Sequence, residues 1–188
     1  MKHLKTIAIA LLVTLGTIAT AQTKKVDPAK SKISWLGKKV TGKHEGTVNL
    51  TDGVLIFKAD KLVGGNFGVD VASITVTDLK AGQGKEDLEG HLKADDFFGT
   101  TKFPTAKLTF KSVGEKAKDT YSVTADLTIK GITKPVKFDI TVKGDTATTS
   151  FKVNRTLYGI EYGSGNFFQN LGDKAINDDF DLTVNLSF

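Results

Sequence analysis

Apolar and polar side chains alternate along most of this chain, and the alternation is cleanest between Tyr121 and Val142. Tyr121, Val123, Ala125, Leu127 and Ile129 interleave with Ser122, Thr124, Asp126, Thr128 and Lys130. After Gly131-Ile132-Thr133-Lys134 the pattern resumes, with Val136, Phe138, Ile140 and Val142 against Lys137, Asp139, Thr141 and Lys143. Successive side chains of a strand point to opposite faces, so each run has one apolar face and one wet face. Gly131 supplies the positive φ of a tight connection, and Pro135 suits a strand start, where a missing N–H does least harm. The pattern predicts a β-hairpin with Lys130, Lys137 and Lys143 turned to water.

The same period of two recurs elsewhere. Ile33–Val40 reads as a strand carrying Trp35, after a short stretch, Val26–Lys30, broken by Asp27-Pro28. Thr41–Gly46 reads as a glycine-bracketed turn or bulge, and Thr47–Leu50 and Val54–Lys58 as strands of a hairpin through Thr51-Asp52-Gly53, a strong turn signal. Leu62–Val76 is long for one strand, and its apolar register changes from Phe67, Val69 and Val71 to Ile74 and Val76, which predicts a bulge near Ala72-Ser73. Ala106–Val113 is a further strand. Thr148–Leu157 puts Phe151, Val153, Arg155 and Leu157 on one face. Asp179–Phe188 alternates to the last residue, and between the two lies an irregular stretch with a helical turn expected at Asn166–Leu171.

One segment breaks the period. Within Lys85–Asp95, Leu88, His91, Leu92 and Asp95 recur at helical spacing, which predicts a short helix behind the glycine-rich Ala81–Gly84 and ahead of an Asp96-Phe97-Phe98-Gly99 turn. About eight antiparallel strands with one inserted helix define an all-β domain, a sandwich or a closed barrel.

Residues 1–21 stand apart from that pattern. Lys2 and Lys5 form a basic beginning, Thr6–Ile18 an apolar stretch short for a bilayer, and Ala19-Thr20-Ala21 a small-residue cleavage site, which together predict a cleaved signal peptide and a single domain over 22–188. The expected location is the periplasm, with secretion as the alternative. Of the 26 Lys and Arg, Lys2 and Lys5 lie in this leader, leaving 24 against 21 Asp and Glu, a net charge of +3. The lysines are scattered over alternate positions rather than massed, the mark of solvated strand faces and not of a nucleic-acid-binding stripe. The chain has no cysteine, so in an oxidising compartment its core must hold the fold without disulfides.

Chemistry-bearing motifs are sparse. His44 and His91 lie far apart, and no metal-ligand spacing, nucleophile elbow, phosphate loop or dinucleotide fingerprint appears. The expectation is therefore a binding protein that is not an enzyme and uses no metal or cofactor. The twelve Phe residues are more telling. Phe57, Phe67, Phe110, Phe138, Phe151 and Phe180 fall on apolar strand faces, where they line either a solid core or a cavity. Arg155 falls on such a face too, where a lone charge is costly. It needs a carboxylate such as Asp126 or Glu161, or a place at a barrel mouth.

Several stretches together resemble the YceI-like family of exported polyisoprenoid-binding proteins: WLGKKVTGKHEGTV at 35–48, VDVASITVTDL at 69–79, LEGHLKADDFFGTTKFPTAKLTF at 88–110, YSVTADLTIKGITKPVKF at 121–138 and FKVNRTLYGI at 151–160. The resemblance implies an extended, lipocalin-like antiparallel β-barrel holding a polyisoprenoid or an isoprenoid-quinone-like lipid. It places Trp35, His44, His91, Phe97, Phe98 and Arg155 at positions matching the family's pattern. By face alone, Phe67, Phe110, Ala125, Leu127, Phe138, Phe151 and Phe180 join them as ligand-lining candidates. A homodimer stays open. Two rivals remain: an integral outer-membrane barrel, suggested by the alternating C-terminal strand but short of girdle aromatics, and a filled, structural β-sandwich. A membrane-spanning role is not expected.

Overall fold

A computed structural model describes residues 20–188; the basic and apolar parts of the predicted signal peptide lie outside them. The described residues form nine strands: β1 (Ala21–Lys25), β2 (Lys32–Lys39), β3 (Gly42–Lys58), β4 (Lys61–Val76), β5 (Thr105–Ala117), β6 (Thr120–Ile129), β7 (Ile132–Lys143), β8 (Thr146–Asn154) and β9 (Ile176–Ser187). One helix, α1 (Lys85–Lys93), is inserted between β4 and β5. The sheet runs β3-β2-β9-β8-β7-β6-β5-β4 and closes through β4 on β3, an eight-strand antiparallel barrel. β1 and β2 occupy one position in the wall. β1 pairs with Val54–Lys58 of β3 and β2 with Gly42–Val48, the chain stepping between them through the 3₁₀ turn Pro28–Lys30. The alternation left β1 unannounced because Gln22, Thr23, Lys24 and Lys25 carry no apolar side.

The central hairpin has the predicted faces. Tyr121, Val123, Ala125, Leu127, Ile129, Phe138 and Ile140 are buried, whereas Lys137 and Lys143 are exposed. Lys130 is half-buried, and its Nζ donates to the Asp95 carbonyl at 2.9 Å. The connection is tighter than expected: Ile129 pairs with Ile132, and Lys130 and Gly131 alone make the turn, both at positive φ. Two residues of that conformation match the strand twist. Pro135 thus lies inside β7. It is tolerated because the β7–β8 ladder spans only Ile140–Lys143 and Thr146–Thr149, so this part of β7 has no β8 partner.

Asp52-Gly53 is not a turn. β3 runs straight through it, with a register shift between Leu50 and Asp52. Gly53 is buried because a Cβ there would meet the Phe67 ring at 2.7 Å and Val26 at 3.2 Å. The glycine answers a close approach of side chains, and the hairpin turn falls instead at Ala59-Asp60, two non-glycine residues at φ of 48° and 60°. The bulge in β4 is present. Between Thr75 and Asp70 β4 uses more residues than β3, and the Ser73 hydroxyl accepts the Asn49 N–H at 2.8 Å.

Several boundaries differ from expectation. The turn expected at Thr41–Gly46 is confined to Val40-Thr41, and Gly42–Gly46 belong to β3, paired with Trp35–Lys39 of β2. Asp95 lies beyond α1, exposed and paired with Lys102 at 2.6 Å, so the buried side of the helix is Leu92, with Leu88 and His91 half-buried. β8 ends at Asn154, and Arg155–Tyr158 is a 3₁₀ turn capped by the Asn154 side chain, which leaves Leu157 exposed rather than in line with Phe151 and Val153. The turn expected at Asn166–Leu171 lies earlier, where the Ser164 carbonyl accepts from the Phe167 and Phe168 N–H groups at 3.1 and 2.9 Å, and a separate 3₁₀ turn follows at Gly172–Lys174.

The two ends of the barrel are built differently. One end carries the short turns at 59–60, 118–119 and 144–145, and beneath it Leu55, Phe57, Leu62, Tyr121, Val123, Ala125 and Ala147 are buried in one cluster. The other end carries the two-residue turns at 40–41 and 130–131 together with α1, the turn after it and the irregular segment 159–175.

Candidate binding lumen

Beneath the α1 end the barrel is hollow. A cavity of about 190 Å³ lies inside the wall, far more than the roughly 10–15 Å³ that holds one water. The inward residues of every barrel strand contribute: Ile33 and Trp35 on β2, Val48 and Leu50 on β3, Val69 and Val71 on β4, Ala106 and Leu108 on β5, Leu127 and Ile129 on β6, Phe138 on β7, Phe151 on β8, and Phe180 and Leu182 on β9. The cavity ends partway down the barrel. On β6 its last lining residue is Leu127, while Ala125, Val123 and Tyr121 below are closely packed; on β7 to β9 it reaches further, to Ile140, Thr149 and Leu186. Phe67, Phe110, Phe138 and Phe151 form an aromatic layer at this level, with successive ring centroids 5.7, 5.8 and 4.6 Å apart.

The roof comes from the insertion between β4 and β5. Leu92 of α1 and Phe97 and Phe98 of the following turn line the cavity from above. They are seated by a cluster with Ile74, Val76, Leu79, Leu88, Val48 and Trp35. An edge-on run of rings continues outward from Phe180 to Phe98, Phe97, His91 and Tyr162, whose ring centroid is 4.4 Å from that of His91. Trp35 lies against Gly46, where a Cβ would come within 1.8 Å of the Thr75 carbonyl oxygen and 2.6 Å of the indole ring. The indole can occupy the wall only because residue 46 has no side chain.

Arg155 is the only charged side chain among the lining residues. Asp126 and Glu161 are not its partners; Asp126 faces Lys111 at 3.6 Å and Glu161 is exposed. Instead Arg155 donates to four backbone carbonyls: Nε to Asn177 at 3.0 Å, Nη1 to Ile160 and Tyr162 at 2.8 Å each, and Nη2 to Ile176 at 3.0 Å. Asp178 lies 3.7 Å from Nη2. Burial lowers the Arg155 pKa from its ordinary value and Asp178 opposes that shift, but a guanidinium stays charged in any case. These bonds pin the ends of the 159–175 segment together. They also seat Tyr158 and Ile160, both fully buried, against Val136 and Phe151 where the β7–β8 ladder has stopped.

Of the predicted ligand-lining residues, the structure brings Trp35, Phe67, Phe97, Phe98, Phe110, Leu127, Phe138, Phe151, Arg155 and Phe180 around one cavity. Ala125, His44 and His91 lie off it. Ala125 is wholly buried in the packed end, facing Phe110 and Val136 across the ladder. His44 sits at the rim, its Nδ1 2.8 Å from Asp78 Oδ2, because β3 has there risen past the last lining side chain. The His91 ring turns toward Tyr162 and Phe97. Leu92, Ala106, Ile129 and Ile176 were missed; the even apolar pattern says which face is inward, not how deep the hollow runs. Among the described residues no group of three or more His, Cys, Asp or Glu side chains could hold a metal ion.

A closed antiparallel barrel with an apolar lumen and a helical roof defines a lipocalin-like class of binding fold. Residues 25–188 match the YceI-like domain, and the chain belongs to that family. It is 37% identical over 100 residues to a UPF0312 protein of Shewanella denitrificans and 32% identical over 99 residues to Protein YceI of Shigella flexneri; each match takes in 53% of this chain. The matches cover 50% and 49% of those proteins, so the chain spans about half the length of the curated relatives it matches. The fold is shared with BcnA of Burkholderia cenocepacia (TM-score 0.68, 23% identity, 86% of this chain and 98% of that one). It is shared also with a polyisoprenoid binding domain of Saccharophagus degradans (TM-score 0.57, 14% identity, 89% and 97%).

Proposed function

We propose that this protein holds an isoprenoid-type lipid in its lumen and carries or stores it outside the cytoplasm, in the periplasm, without chemical conversion. The observation that carries this reading is the hollow half of the barrel, walled by hydrocarbon from all eight strand positions and roofed by Leu92, Phe97 and Phe98. A branched hydrocarbon chain suits such a wall, because each buried CH₂ contributes about 0.8 kcal/mol without any directional contact. The polyisoprenoid binding domain of similar fold supports that ligand class, and the leader at 1–21 supports export.

The outer-membrane alternative loses ground to the direction of the faces. A membrane barrel turns an apolar band outward. Here Ser122, Asp139, Lys137 and Lys143 face out, and Val123, Phe138 and Ile140 face in. A filled sandwich is set aside by barrel closure through β4 on β3.

Native mass spectrometry of the protein isolated from its producing cell tests the reading. We expect a mass adduct that organic extraction releases as an isoprenoid lipid, and an N-terminus near Gln22. A protein that carries no lipid and takes up no apolar probe after delipidation would refute carriage; an intact N-terminus in the cytoplasm would refute export.

A further inference from the structure

The polar groups of the lumen are few and unequally committed. The five N–H donors of Arg155 are largely spent: four hydrogen bonds go to backbone carbonyls, and Asp178 opposes its charge from 3.7 Å. Among the described residues no Lys, His, Asp or Glu side chain lines the cavity; the remaining polar lining residues are Thr149 and Asn177, and the Thr149 hydroxyl donates to the Asp139 carbonyl. Trp35 is the exception. Its Nε1–H is buried, and no acceptor among the described residues reaches it, although the ring lines the cavity beside Leu92, Phe97 and Phe98. An indole N–H can only donate, and buried donors as a rule have a partner.

Resting on the lipid-carrier reading above, we infer that the lumen selects its ligand by the head, taking a neutral hydrogen-bond acceptor such as an ester or ketone oxygen onto Trp35 Nε1–H beneath the α1 roof, with the hydrocarbon tail toward the aromatic layer. A phosphorylated head is disfavoured there. An anion brought into this wall loses its hydration, and the single cation within reach is already coordinated and opposed by Asp178. A neutral acceptor has no such cost and satisfies the donor. The polarity of the lumen also favours that orientation, because the opposite end is lined by Phe67, Phe110 and Phe138, and Thr149 there already donates its hydroxyl to the Asp139 carbonyl at 2.7 Å.

Trp35 is the only tryptophan, so one indole N–H resonance reports on the contact. The delipidated protein is titrated with three compounds sharing a farnesyl chain: the hydrocarbon farnesene, farnesyl acetate and farnesyl monophosphate. Affinities come from displacement of an apolar fluorescent probe. Acetate is expected to bind about three- to tenfold more tightly than farnesene, the span of one buried neutral hydrogen bond, and the monophosphate more weakly than acetate. Acetate should move the indole N–H resonance downfield and farnesene should not. In Trp35→Phe the ratio of acetate to farnesene affinity should fall to about one, whatever the lost wall contact does to both affinities. Acetate no tighter than farnesene, a monophosphate as tight as acetate, or an indole resonance indifferent to acetate each overturns the inference while leaving the lipid carrier standing. If none of the three displaces the probe, the carrier reading itself falls, and the inference falls with it. The resonance is read in the wild-type protein, so the conclusion survives a Trp35→Phe variant that folds poorly.

Discussion

The two ends of the barrel have the same alternating strands and opposite interiors. At the end of short turns, Leu55, Leu62, Val123, Ala125 and Ala147 meet one another and leave no hollow. At the α1 end the same strands carry Val71, Leu108, Leu127, Ile129 and Phe180, which face each other across empty space. The difference lies in what closes each end. At the packed end tight turns alone join the strands, and small residues such as Ala125 and Ala147 fill the middle. The other end has tight turns too, at 40–41 and 130–131, but there the insertion 77–104 and the segment 155–175 add a roof and a pinned loop over the hollow. Close packing is thus greatest in one half and binding space in the other.

The sharpest break of this contrast is at Arg155. Its replacement by Met leaves four carbonyls without their donor and Asp178 without its countercharge, and we expect a loss of about 3 kcal/mol or more in urea unfolding, with the 159–175 segment losing hydrogen-exchange protection before the packed end does. A mild effect spread evenly over both ends would show that the loop does not depend on it. Next come two matched overpackings. Ala125→Phe, in the packed end, should cost about 1–3 kcal/mol, whereas Ala106→Phe, on the lumen wall, should keep near wild-type stability and reduce uptake of an apolar probe. Equal destabilisation by both would mean that the hollow cannot accept a ring.

Tyr158 tests the boundary. Its hydroxyl is buried without a partner among the described residues, and burial pushes its pKa up to about 12. A phenol raised in the folded state stabilises fully below its unfolded pKa, and that contribution is lost as pH climbs from about 10 toward 12. Tyr158→Phe should change stability by at most about 1 kcal/mol at neutral pH, in the stabilising direction, and should flatten the alkaline decline in thermal melts. The smallest effect is expected at the rim. Burial raises the Asp78 pKa, but the Glu45 N–H and His44 outweigh it, leaving it below 3.8. A depressed carboxyl stabilises above its unfolded pKa and loses that contribution as pH falls through the folded value. Asp78→Asn should therefore flatten the acid limb below about pH 4 by less than about 1 kcal/mol, visible in melts across that range.

The alternation of side chains by itself determined a great deal: most inward faces of β2 to β9, an all-β antiparallel class and the bulge before Ile74, with the break in it marking the helix near Lys85–Lys93; closure into a barrel rather than a sandwich came from the family resemblance. Period two is a local property, so it survives without tertiary information. The motifs at 88–110 and 151–160 likewise pointed to the right neighbourhood for the roof and for Arg155. Depth within the barrel was not legible. Ala125 and Leu127 are two residues apart on one face of β6, yet one is packed solid and the other lines the hollow, because strand tilt and the partner strands decide which layer each reaches. Nor could the chain reveal that Gly53 serves the Phe67 ring and not a turn, or that Arg155 would answer to the carbonyls of Ile160, Tyr162, Ile176 and Asn177. Those carbonyls carry no residue-specific signal, and only folding brings them around one guanidinium.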